Sequence, residues 1–106
     1  MAKFHSIKVA DIYKETKDCS VITFDIPQEL KSEFQYKQGQ HLTLRTNING
    51  NEVRRSYSLC SSPIENKWQV AVKQINEGLF STFANEQLSI GDTLDVMPPN
   101  GTFYTE

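Results

Sequence analysis

Arg55, Tyr57 and Ser58 fall close together in Arg54-Arg55-Ser56-Tyr57-Ser58-Leu59, a segment that otherwise has the composition of a β-strand. A guanidinium forks onto phosphate oxygens, and a phenol presents a stacking face with a polar tip. If the segment is extended, alternation places Val53, Arg55, Tyr57 and Leu59 on one face, with successive same-face positions about 7 Å apart. A cation and an aromatic ring are then offered side by side. That arrangement suits an elongated ligand with a phosphate at one point and a flat ring further along, and a flavin nucleotide has that layout. The competing reading is an exposed strand in which Arg55 and Tyr57 form an ordinary cross-strand pair.

A second group lies at Glu77-Gly78-Leu79-Phe80-Ser81. Phe80, Ala84 and Leu88 recur at helical spacing, with Leu79 and Phe83 beside them, which makes one apolar stripe on a short helix beginning here. Unpaired backbone N–H groups and the positive end of the dipole make a helix start a seat for anions. Gly78 lets a ligand approach the main chain without a Cβ in the way, and Ser81 adds a hydroxyl. The plainer alternative is that Gly78 closes a turn and Ser81 caps the helix. If the fold brings this entrance near Arg55, a pyrophosphate could be clamped between guanidinium and amides.

Composition limits what else the chain can be. Its 106 residues suffice for one domain and one site. With 11 basic and 13 acidic side chains and a net charge of -2, it has no basic stripe to hold nucleic acid. No apolar run approaches the roughly 20 residues that span a bilayer, and Met1-Ala2-Lys3-Phe4-His5 lacks the apolar core of a signal peptide. A cytoplasmic protein with no membrane partner is expected. Cys19 and Cys60 are too few and too far apart for a four-thiolate site, and are expected to be reduced structural thiols. His5 and His41 have no ligating neighbours at metal spacing, so no metal is expected.

The elements that must position these groups read as a β domain. Ser6 to Tyr13 and Cys19 to Ile26 alternate apolar with polar residues, and Pro27 ends the second. A polar connection with a helical turn at Glu29-Leu30-Lys31 leads to a strand through Leu42, Leu44 and Thr46. Asn49-Gly50 then folds the Arg55 strand back antiparallel to it, since both residues tolerate positive φ. The Arg55 strand is expected to lie in the interior of the sheet. Trp68 to Ile75 is a fifth strand with its larger apolar residues at even positions, and Thr93 to Met97 a sixth, stopped by Pro98-Pro99. An antiparallel barrel or sandwich is favoured.

The order of parts, an Arg-x-Tyr-Ser strand, one further strand, then Gly-x-x-Ser opening a helix, resembles the flavin-binding domain of the ferredoxin-NADP reductase superfamily. The likeness covers nearly the whole chain, from Gly39-Gln40 through Arg55-Ser56-Tyr57-Ser58-Leu59, Val72-Lys73 and Gly78-Leu79-Phe80-Ser81 to Gly91-Asp92 and Pro99-Asn100-Gly101-Thr102-Phe103. Tyr57-Ser58-Leu59-Cys60-Ser61-Ser62-Pro63 is most similar to reductase components that feed oxygenases, such as the phenylacetate-CoA oxygenase reductase type.

The resemblance implies an all-β fold, a six-stranded antiparallel Greek-key barrel with one short capping helix, holding FAD along its edge. FMN, which some relatives use with the same strand, is the second choice. By the family's roles Arg55 pairs with the pyrophosphate, Tyr57 packs on the isoalloxazine and reaches the ribityl chain, and Ser58 hydrogen-bonds near the flavin N5. The amides of Gly78, Leu79, Phe80 and Ser81 hold the phosphate, and the backbone of Val72, Lys73 and Gln74 borders the ring. Regular alternation points Ser58 away from Tyr57, so its role requires a bend in the strand or a contribution from its backbone N–H. In such reductases a C-terminal NAD(P)-binding domain follows, and some add a ferredoxin-like domain and serve an oxygenase. This chain has no G-x-G-x-x-G, so residues 1–106 are expected to be one domain of a larger reductase, poorly reduced by NADH or NADPH alone. The alternative of another class is a cofactor-free β-barrel that docks a protein partner, with Tyr36, Tyr57 and Phe80 as contacts and Arg55 as a rim charge.

Overall fold

The computed structural model describes residues 4–37, 39–61, 67–74 and 78–100. Its strands are β1 (His5–Thr16), β2 (Cys19–Asp25), β3 (His41–Ile48), β4 (Asn51–Ser58), β5 (Trp68–Lys73) and β6 (Thr93–Asn100), with a 3-10 turn at Gln28–Leu30 and the helix α1 (Leu79–Glu86). They form a six-stranded sheet in the order β4-β3-β6-β1-β2-β5, antiparallel at every described pairing. The return of β6 to lie between β1 and β3 gives the Greek-key order. No helix among the described residues is long and apolar enough to cross a membrane.

The strands form where alternation predicts them. Ile7 and Val9 on β1 are buried while Ser6, Lys8 and Ala10 are exposed. Ile22, Leu42, Leu44, Val70, Val72 and Val96 bring the inner faces of four strands into one core with that of β1. Phe34, Tyr36 and Trp68 fill it beside the start of β5, where the Trp68 Nε1–H donates to the Phe34 carbonyl at 2.7 Å. Phe80, Ala84 and Leu88, the apolar stripe read from the sequence, cover it through α1 and the residues just after it. Burying a side chain such as Phe80 contributes about 1.5–3 kcal/mol.

The β3–β4 hairpin forms as its sequence requires. Ile48 pairs with Asn51, and Asn49 and Gly50 take φ of 54° and 82°. Positive φ at both central residues defines the tight turn whose twist matches that of the flanking strands.

Four expectations need correction. β4 is an edge strand and not an interior one, because its described neighbour is β3 alone while β5 pairs with β2. The sheet is therefore not a closed barrel; it ends at β4 on one side and β5 on the other. β6 runs through Pro98 and Pro99 to Asn100, and the prolines sit opposite a register shift between His41 and Thr43. A bulge is where a strand accommodates residues that cannot donate to the ladder. Finally, neither cysteine is in a disulfide, but Cys60 is exposed, where a structural thiol would be covered. Ile75, Glu77 and Gly101 to Phe103 lie outside the described residues.

Candidate functional site

The two edge strands touch at one corner and diverge from it. Leu59, just past β4, bridges Val70 of β5, and the Cys60 N–H donates to the Gln69 carbonyl at 2.8 Å. Tyr36 pins this corner, its hydroxyl donating to the Lys67 carbonyl at 2.7 Å with Ser61 Oγ 2.8 Å away. Where the strands part, α1 covers the seam and a cleft of about 400 Å³ opens. Arg55, Ser56 and Tyr57 line it from β4, Ala71 and Lys73 from β5, and Gly78, Phe80 and Ser81 from the helix entrance. The Arg55 strand and the helix start, far apart in sequence, thus face one space.

Register explains how β4 presents its side chains. Arg55 stands opposite Leu44 and Tyr57 opposite Leu42, both fully buried, so Arg55 and Tyr57 belong to the inner face. Arg55 nevertheless stays exposed, because the inner face of an edge strand at an unclosed seam looks into the opening. Its Nη1 donates to the Arg54 carbonyl at 2.6 Å. Tyr57 is half-buried, and its ring lies 5.6 Å from that of Phe80 at 36°. Burial raises the Tyr57 phenol above its ordinary pKa, opposed by the Arg55 cation beside it, so the hydroxyl remains a donor at neutral pH.

Ser56 and Ser58 face outward. The Ser56 hydroxyl lies 2.9 Å from Thr43 Oγ on the outer surface, and Ser56 therefore borders the cleft with its main chain. Ser58 pairs with His41 in an uninterrupted register, so no bend turns its hydroxyl to the Tyr57 side. Its main chain is better placed. The Leu59 N–H donates to Gln40 next to β3, the Cys60 N–H donates across to β5, and alternate residues present their backbone groups to opposite edges. The N–H groups of Ser56 and Ser58 consequently point into the seam.

On β5 the same alternation separates the sequence-predicted residues. The Val72 side chain is fully buried and its carbonyl accepts from Asn85 Nδ2 at 3.1 Å. The Gln74 N–H donates to the Asp18 carbonyl, and its side chain reaches Glu86 at 2.9 Å. Lys73 lines the cleft, and with it Ala71, which sequence reasoning passed over. Ala71 was findable: alternation puts it two residues from Lys73 on the same edge.

At the helix entrance Gly78 is the N-cap, with φ −80° and ψ 113°, and no side chain caps it. Ser81 Oγ donates back to the Gly78 carbonyl at 3.3 Å, and Gly78 rather than Ser81 holds the N-cap position, so the plain capping role does not apply. Leu79 begins the helix with its main chain; its side chain lies outside the described set. None of the described lining residues is acidic, while Arg55, Lys73 and the helix start all favour an anion. Tyr36 and Phe80 are 9% and 1% exposed, which removes both as partner-docking contacts.

Residues 6–104 match the family model described as the oxidoreductase FAD-binding domain. The chain is 46% identical over 103 residues to a component of 1,2-phenylacetyl-CoA epoxidase from Escherichia coli (strain K12), covering 97% of this chain and 29% of that protein. It is 38% identical over 99 residues to the ferredoxin reductase component of 3-ketosteroid-9-alpha-monooxygenase from Rhodococcus rhodochrous, covering 92% of this chain and 28% of that one. Among solved structures, phthalate dioxygenase reductase, described as a modular structure for electron transfer from pyridine nucleotides to [2Fe-2S], superposes with a TM-score of 0.76 at 26% identity. That match covers 97% of this chain and 32% of the reductase. The chain thus spans about three-tenths of the length of the curated relatives it matches.

Proposed function

The chain belongs to the oxidoreductase FAD-binding domain family, and from that premise we propose that the seam between β4 and β5 holds the FAD of an NAD(P)H-dependent reductase that delivers electrons to an iron–sulfur or oxygenase acceptor. The observation that carries this reading is the meeting of Arg55 with the Gly78–Ser81 helix start at one cleft. A volume of about 400 Å³ is of the size that ligand sites have. Its lining, two cations, an aromatic ring with a polar tip and no described acid, fits a diphosphate joined to a flat heterocycle.

In this reading Arg55 swings from the Arg54 carbonyl to the pyrophosphate, exchanging a neutral acceptor for a charged one. The main chain of Gly78 to Ser81 holds the same phosphates, and Tyr57, braced on Phe80, packs against the ring and offers its hydroxyl to the ribityl chain. The Ser58 N–H, directed into the seam, donates near N5. Ala71 and Lys73 border the ring from β5, in place of Val72 and Gln74, whose groups are engaged elsewhere. Bound flavin supplies the hydride and electron chemistry, and the protein fixes the ring's orientation and electrostatic surroundings.

The NAD(P)-binding domain that presents the nicotinamide, a ferredoxin-like domain and an oxygenase are the partners this reading supplies, by analogy with the relatives above. A cytoplasmic setting accords with two cysteines outside any disulfide. The test is mass spectrometry of the ligand released on denaturing natively purified protein, together with titration of the folded chain by FAD. FAD in the released fraction and a saturating change in flavin fluorescence are expected. A folded chain that takes up neither FAD nor FMN overturns the proposal.

A further inference from the structure

Asn85 is a polar side chain on the core-facing side of α1, 7% exposed, and it meets Ser20 of β2, 1% exposed. Its Oδ1 accepts from Ser20 Oγ at 2.7 Å. Its Nδ2 donates to the Val72 carbonyl at 3.1 Å and to the Ser81 carbonyl at 2.8 Å. Carbonyl oxygens only accept, so these partners fix which way the amide points. One side chain therefore joins β2, β5 and the first turn of α1, and the turn it holds carries Ser81, which lines the cleft.

α1 needs such a tether. A helix of 8 residues is too short to hold its shape in water by itself, and no side chain caps its start at Gly78. Its apolar contacts through Phe80 and Ala84 favour burial without fixing direction. The three amide bonds are directional and lie in a desolvated site, where geometry is enforced most strongly. They set the depth and angle at which the helix start faces Arg55.

We propose that Asn85 is a positioning residue for the diphosphate seat. Through Ser20 and Val72 it fixes the Gly78–Ser81 turn relative to Arg55, and it thereby sets the preference for a flavin that carries a diphosphate over one that does not. The inference rests on the reading of the cleft as an FAD site. Arg55 and Tyr57, on β4, are outside the tether, so contacts to the ring survive its loss.

The test compares FAD with riboflavin, which shares the ring and ribityl chain but has no phosphate. In Ser20→Ala/Asn85→Leu the hydroxyl and the amide leave together, so no Ser20 donor is stranded in the core, and the fold is expected to survive the loss of the Asn85 bond to the Val72 carbonyl. Affinities come from flavin fluorescence on the chain itself, with circular dichroism and melting to follow the fold. The unaltered chain is expected to prefer FAD by at least about tenfold. The double variant loses about tenfold in FAD affinity while riboflavin stays within about twofold. If FAD affinity is unchanged in the double variant, or both ligands weaken equally, the positioning role is wrong while the site stands. If the double variant does not fold, Ser20→Ala is read the same way, with an FAD-specific loss of about threefold expected and no loss overturning the proposal. An unaltered chain that binds neither flavin, or binds both equally, overturns the FAD reading and this inference with it.

Discussion

Leu59 and Val70 form the bridge at which β4 meets β5, and the cleft begins where that contact ends. A sheet that closed further would have paired the Ser56 and Ser58 backbone with β5 and left no seam. Stopping the pairing at Leu59 leaves edge donors, a guanidinium and a helix start around one opening.

Removing the Arg55 guanidinium separates binding from stability. The side chain is exposed and its described bond goes to its own neighbour's carbonyl, so Arg55→Ala should change stability by less than about 0.5 kcal/mol. FAD affinity should fall roughly 10- to 100-fold, the worth of a charge-assisted contact to phosphate. Flavin titration paired with thermal melting checks both parts.

Gly78→Asp should act with opposite signs on the two quantities. At φ −80° any residue fits the backbone, and Asp is a favoured N-cap, so melting should stay level or rise slightly. The added carboxylate repels the diphosphate, and FAD affinity should drop by about tenfold or more while riboflavin affinity holds. A variant that melts early, or that loses both ligands alike, speaks against this account of the helix start.

The hairpin and the helix stripe were legible because both are local. Asn49-Gly50 announces a turn whatever surrounds it, and Phe80, Ala84 and Leu88 repeat at helical period. The edge position of β4 was not legible, since alternation looks the same at an edge as in the interior and depends on which strand β5 chooses. Asn85 was hidden for a related reason: next to Glu86 it reads as a solvent-facing residue, and its partner Ser20 is 65 positions away. The continuation of β6 through Pro98-Pro99 required knowing that β6 bulges there, with both prolines set against the single β3 residue between His41 and Thr43.

Gly50 tests the hairpin apart from the site. Nothing lies within 4 Å of a Cβ built there, so Gly50→Ala meets no clash and carries only the cost of a φ of +82°. A loss of about 1–2 kcal/mol in chemical denaturation is expected, with FAD affinity unchanged when measured on the folded protein.

The Tyr57 phenol gives a pH signature. Burial raises its pKa in the folded chain above the unfolded value near 10, so below about pH 10 both states hold the proton and stability does not depend on it. As pH climbs from there toward the folded pKa, the unfolded chain releases the proton first and stability falls. Tyr57→Phe should flatten that alkaline decline in a series of melts while leaving the neutral range unaltered.

The most direct measurement is a double-mutant cycle on FAD affinity between Arg55→Ala and Gly78→Asp. If guanidinium and helix start grip the same diphosphate, the second change costs much less once the first is made, with a coupling of about 1 kcal/mol or more. Strictly additive losses would mean that the two groups serve separate ligand atoms or none, and would contradict their convergence on one cofactor.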